Sequence, residues 1–394
     1  METGSRSELQ GNPGATVAGQ RYARIQPLVV GSGHEADAGD GEAWLQSMLP
    51  WHFQGDPLAE EVVRVLRRES RSMAQPALAV TALAERGDAA CQALLADMHA
   101  VPGWVDFALM KQGGAMAQRN FPALVMGLTY GCLPLTFAHP DAAAIFAGTG
   151  RMEVSITRRL NESAALFFGV MDSNALAPQE SMWATCLQVR LVHAIVRIQA
   201  LQQGWDVEQR GMPVSQLATA AGPAFFGSHL LNGMRRLGAR ASEEEAAGFR
   251  MIWRYVTRLM GVPLALLGET QAQQDQFDRQ MMRQFFAPDA TAKTIMATLL
   301  EGLCSQRPTS RLPRSLQVAL FRRMLGEEMA DAFGLPHDRA GGRLLTWLAP
   351  LLSGYSRLGR LPGLSVGTRW AGSRILDTLA EEGLITLAVA GGSR

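Results

Sequence analysis

Cysteine is scarce and scattered. The 394-residue chain holds four, Cys91, Cys132, Cys186 and Cys304, with no C-x-x-C pair among them. That spacing argues against a structural zinc module and against the disulfide framework of a small secreted domain. A charge surplus is missing too, since 37 Lys and Arg face 36 Asp and Glu. A nucleic-acid binder would carry a basic excess, so no nucleic-acid partner is expected. Strand signals are few, with no alternating β-branched runs joined by Asn-Gly or Asp-Gly turns. No repeat with the period of a solenoid or propeller stands out. The stretch 1–40 lacks a basic segment followed by an apolar run, so it reads as a flexible tail rather than an export signal. A cytoplasmic location is the expectation that follows.

Apolar residues, at 47%, are abundant enough for a large core. Their spacing is helical. It predicts helices over Glu42–Leu49, Pro57–Arg71, Pro76–Met98, Val105–Arg119, Gly150–Met171 and Pro178–Gln203. Further helices are predicted over Glu243–Met260, Gln271–Phe286, Ala290–Leu303, Pro313–Phe333 and Gly342–Leu352. Ser242 before three glutamates is a cap with an acidic first turn, Pro178 suits a first-turn position, and Gly204 is placed as a terminator. The class is therefore all-α. The expected organisation is a tail over 1–40, a helical domain over 41–305, and a C-terminal helical extension over 306–394 packed on it. Phe121–Ala138 runs without a formal charge, near the lower limit for a membrane span. Its two prolines and two glycines favour a buried helix or pocket wall, with a peripheral membrane contact left open.

Two helices carry residues suited to chemistry. In Gln188–Arg197, His193 shares a broad face with Cys186, Val189, Arg190, Val196, Arg197 and Ala200. A single imidazole between two guanidinium groups suits a haem, with nitrogen for iron and arginines for propionates. The same pattern fits a hydrogen-bonded core histidine and two ion-pairing arginines. Arg159 and Ser163, four apart, share a stripe with Phe167 and Val170. That pair could polarise bound dioxygen, or could simply cap a helix or form an ion pair.

Several ordered segments resemble the latex clearing protein (rubber oxygenase) family, which also includes the fungal mycophenolic-acid-pathway oxygenase. Pro102-Gly103-Trp104-Val105-Asp106, followed by Lys111-Gln112-Gly113-Gly114, resembles its Pro-x-Trp-x-Asp segment. Arg159-Leu160-x-x-Ser163 resembles its Arg-x-x-x-Thr helix. Trp183, Val189-Arg190-Leu191, His193-Ala194 and Arg197 resemble its haem-ligand helix, and Phe249–Val256 with Gly261-Val262-Pro263 its Trp-Arg-Tyr helix. Together they cover roughly Pro102 to Leu267.

The resemblance implies a globin-like helical core with added N- and C-terminal helices, and haem b as the iron cofactor. His193 would be the proximal metal ligand, Arg190 and Arg197 cofactor-binding, and Arg159 and Ser163 distal. The implied reaction is dioxygen-dependent cleavage of a carbon–carbon double bond in an apolar small molecule, isoprenoid or lipid. Two positions depart from the pattern. Glu162 stands where rubber-cleaving members carry a Lys, which implies a water-bound or five-coordinate iron. Ala143 falls where their acid/base carboxylate belongs, leaving Glu162 or Asp141 as replacements. That gap keeps a second class alive, a haem-binding sensor, carrier or biosynthetic partner without turnover. A helical interaction protein with no cofactor is a third.

Overall fold

The computed structural model describes residues 38–69, 76–148, 166–305 and 309–358, and among them every regular element is helical and none is a strand. The first elements are α1 (Ala38–His52), α2 (Pro57–Arg68), α3 (Pro76–Glu85), α4 (Ala89–His99) and α5 (Phe107–Arg119). Next come α6 (Phe121–Gly127), α7 (Pro140–Gly148) and the long α8 (Ser181–Gln202). The short α9 (Val207–Arg210), α10 (Gln216–Ala220) and α11 (Leu230–Arg236) lead to α12 (Glu243–Leu259). The chain continues through α13 (Leu264–Leu267), α14 (Gln271–Gln284), α15 (Ala290–Ser305), α16 (Arg314–Leu325), α17 (Glu327–Ala332) and α18 (Arg339–Leu358).

The predicted punctuation is present where side chains specify it. Ser242 Oγ accepts from Glu245 N–H at 3.2 Å while Glu245 Oε2 accepts from Ser242 N–H at 2.9 Å, a capping box that starts α12. Gly204 takes φ +86° just past α8. Two helices expected to be continuous are broken instead. Pro76–Met98 divides because Gly87 adopts φ +91° and Asp88 then caps α4 by accepting from Cys91 N–H at 2.9 Å. Pro313–Phe333 divides at Gly326, φ +87°. Helix α8 starts at Ser181 rather than Pro178, after a turn in which Gln179 has φ 72°.

The apolar stretch from Phe121 is not one helix. It runs through α6, a π-helix over Leu128–Cys132 and a single turn over Leu133–Leu135, and α7 follows at a bend of 98°. No single helix among the described residues is long and apolar enough to cross a membrane, and this bent pair passes by length and composition only when joined. Leu124, Tyr130, Cys132, Leu135, Phe137 and Ala138 are buried in the core. Apolar spacing predicts no helix between Trp205 and Ala241. Here the prolines and glycines interrupt the period, and a second π-helix over Pro223–His229 shifts the register.

Helices α5 and α12 pack at backbone distance. A Cβ on Gly248 would lie 2.0 Å from Leu109 O, and one on Gly113 would lie 2.1 Å from Phe249 N, so only glycine permits the approach. The C-terminal helices share the same core. Tyr130 of the first π-helix packs against Phe321 of α16 with ring centroids 4.9 Å apart and donates its hydroxyl to Gln317 Oε1 at 3.3 Å. One continuous hydrophobic cluster runs from Leu45 to Leu345.

Candidate functional site

Helix α8 carries His193 between two buried arginines. Arg190 Nε donates to Asp56 Oδ2 at 2.6 Å, its Nη2 to Asp56 Oδ1 at 3.2 Å and its Nη1 to Asp97 Oδ2 at 2.6 Å. Asp97 accepts a second arginine, Arg258 of α12, at 2.6 and 3.1 Å. Arg197 donates to Glu60 Oε1 at 3.2 Å and to the carbonyls of Pro213 at 3.1 Å and Val214 at 2.5 Å. Val214 is a β-branched residue at φ 49°, so Arg197 holds a strained turn in place. Asp56 is also the N-cap of α2 and accepts from Ala59 N–H at 3.2 Å. Three guanidinium groups and three carboxylates thus tie α2, α4, α8 and α12 together. The two arginines holding Asp97 keep its carboxyl below the usual range against the opposing effect of burial.

This brace was not legible in the sequence. Arg190 and Arg197 were expected to hold propionates; in the structure all their nitrogens are taken by Asp56, Asp97, Glu60 and two carbonyls. The reason is burial. A guanidinium placed in the core must find compensating acceptors within the fold, and Asp56, Glu60 and Asp97 supply them. The Asp-Pro pair at 56–57, a helix-start signal, was the available hint of one partner.

His193 differs from its neighbours. Its ring is half-buried, and its Nδ1 is buried with no hydrogen-bond partner. Burial, reinforced by the Arg197 charge and opposed by Asp56, pushes its pKa down to about 4. The imidazole is therefore neutral at physiological pH, the form whose nitrogen can bind iron. A neutral, unpartnered ring nitrogen on a rigidly held helix fits the donor a haem iron requires. Cys186, two turns before it, is buried with its thiol pushed up to about 12, which makes it an inert packing group.

The segments at Trp104 and Trp253 meet in space. The Arg254 guanidinium lies over the Trp104 ring at 3.8 Å and donates to the carbonyls of Leu267 and Gly268. Tyr255 packs edge-on against Phe107, and Asp106 caps α5 by accepting from Leu109 N–H at 2.9 Å. Trp253 stacks on Phe226 at 4.9 Å and lies 5.6 Å from Phe167, with its Nε1 buried and unpartnered. Phe225 continues this aromatic wall 4.3 Å from Phe226.

The expected distal residues Arg159, Glu162 and Ser163 lie outside the described residues. Ala143 is fully buried on α7. Asp141, on the same helix, is also buried, with Oδ1 3.6 Å from Arg210 and Oδ2 3.6 Å from His139 Nδ1. Sequence reasoning missed two titratable groups beside the second π-helix. Asp278 accepts from Ser228 Oγ at 2.7 Å and Gln274 Nε2 at 2.6 Å, and burial raises its pKa to about 6. His229 is buried with Nε2 unpartnered, and burial lowers its pKa to about 3. Neither falls in a motif, and only the π-helix that brings them into the core marks them out.

The described residues define an all-helical protein with a neutral, unpartnered imidazole nitrogen beside a buried charge cluster. Residues 115–354 match the catalytic domain described as ER-bound oxygenase mpaB/B'/Rubber oxygenase, and the chain belongs to that family. A rubber oxygenase from Streptomyces sp. (strain K30) is 25% identical over 268 residues, 66% of this chain and 64% of that protein. The match thus spans just under two thirds of the relative's length. The solved structure of latex clearing protein LCP in the closed state superposes with a TM-score of 0.63 at 20% identity, covering 93% of this chain and 94% of that one. The shared all-α architecture extends over nearly the whole length of both.

Proposed function

We propose that this chain is a haem b-dependent oxygenase that uses dioxygen to oxidise or cleave a C=C bond of an apolar isoprenoid or lipid. The observation that carries the reading is His193, a neutral imidazole with a buried, unpartnered nitrogen. It occurs in a family whose curated relative bears the name rubber oxygenase. Haem, when bound, supplies the oxygen activation.

The protein supplies the rest. His193 offers one nitrogen lone pair, because burial and Arg197 both disfavour the imidazolium. The brace fixes the helix that presents it, since Arg190 and Arg197 each tie α8 to α2. Phe167, Phe226 and Trp253 form an apolar wall against which an alkene would lie. Arg159 and Ser163 are assigned the distal role of polarising the bound oxidant, with Glu162 beside them.

A second reading follows from Ala143. A buried, non-titratable side chain there cannot move a proton, which favours a haem-binding sensor, carrier or biosynthetic partner. The discriminating experiment gives the haem-loaded protein an isoprenoid alkene, squalene, under isotopically labelled dioxygen. Label in carbonyl products supports the oxygenase. Stable haem binding with no labelled product supports the second reading.

A further inference from the structure

Helix α18 has two unlike faces. One is locked to the body: a Cβ on Gly341 would lie 1.9 Å from Ser315 O, Leu345 is buried, and buried Ser356 Oγ accepts from Arg240 N–H at 3.0 Å. The other face is apolar and open. Trp347 is 80% exposed, Leu351 68%, Leu358 52% and Leu344 42%, a concentration of large apolar side chains unmatched by any other described helix. At 100° per residue these four fall within an arc of about 60°, so they form a single stripe rather than scattered exceptions. Such a patch marks a contact surface.

The charge beside the stripe says what it contacts. The helix contains Arg339, Arg343 and Arg357 and no acidic residue, although the chain as a whole is nearly neutral. The three arginines are exposed, lie along one edge of the stripe, and form no ion pair among the described residues. A second copy of the chain pairing through this stripe would bring arginine rows together with no acid between them. An apolar centre with an exposed Trp and an arginine edge suits the boundary of an anionic bilayer, where the ring sits among acyl chains and the guanidinium groups meet phosphates.

We propose that α18 docks the protein on anionic lipid surfaces, with Leu344, Trp347, Leu351 and Leu358 entering the interface and Arg339, Arg343 and Arg357 pairing with headgroups. This surface is separate from the haem reading and does not depend on it. The test is sedimentation of the full-length protein with phosphatidylcholine vesicles, with and without phosphatidylserine. Binding is expected with phosphatidylserine and should weaken as salt is raised. Replacing the three arginines by alanine should weaken it about a hundredfold. Trp347→Ser with Leu351→Ser should abolish it, and unchanged thermal midpoints would confirm that these surface variants fold. The proposal is overturned if the wild type does not bind, or if it binds equally after both sets of changes. It is also overturned if the wild type is a dimer that Trp347→Ser turns into a monomer, which would make the stripe a subunit interface.

Discussion

The brace at α8 and the region around the second π-helix are both buried and both contain ionisable groups, yet their chemistry is opposite. In the brace, Arg190, Arg197 and Arg258 each donate three hydrogen bonds to carboxylates or carbonyls, and of their nitrogens only Arg258 Nε is left without a partner. Around the π-helix, Asp278 has only neutral donors, while His229 Nε2 and Trp253 Nε1 have no partner. A compensated cluster holds helices together and has little capacity left for a ligand. Unspent polar capacity in apolar surroundings costs stability and is tolerated where something binds or reacts. His193 stands between them, carried by the helix of the first region but left unpartnered like the second.

Breaking the brace should have the largest effect. Arg190→Met leaves Asp56 and Asp97 short of a buried partner and should destabilise the protein by about 3 kcal/mol or more in chemical denaturation. A loss below about 1 kcal/mol would place the brace among weak surface pairs instead.

Asp278→Asn should do the reverse. The folded-state pKa of about 6 lies above the carboxyl's ordinary 3.8, so folding holds the proton more tightly and the ionised form is penalised. That penalty is fully present above pH 6 and fades as pH falls toward 4. The amide should therefore stabilise the protein by about 2 kcal/mol at pH 8, and the gain should shrink across that window. Gln274 can turn its unpartnered Oε1 toward the new amide. Denaturation midpoints at pH 8 and pH 4.5 read the difference, and an equal effect at both would remove Asp278 from the account.

The effect at His229 is absent at neutral pH and appears only on acidification. Its pKa of about 3 lies below the ordinary 6.5, so the unfolded chain takes the proton first. Stability at this residue is complete above pH 6.5 and falls as pH drops toward 3, by about 1.4 kcal/mol per pH unit. His229→Gln should flatten the stability profile between pH 6.5 and 5. An unchanged slope would show that His229 is not the neutral, buried group described.

The helical class, the caps at Ser242 and Gly204, and the core helices around Trp253 could be read from the sequence, because each depends on local spacing. Breaks at Gly87 and Gly326 could not, since a glycine inside an apolar period does not announce a positive φ. Arg190 and Arg197 show the same limit for the site. Their chemistry was plain, but their partners lie over 90 residues away in Asp56, Glu60 and Asp97, a distance that no helical period spans. Asp278 and His229 were missed because the π-helix that presents Ser228 and buries His229 has no period of its own in the sequence.

The central claim is that His193 is an iron ligand, and the haem content of purified wild type and His193→Ala tests it most directly. The wild type should show a Soret band and bind added haem in solution. His193→Ala should lose both while retaining its helical circular dichroism. Equal haem content and an unchanged axial-ligand spectrum in the variant would contradict it.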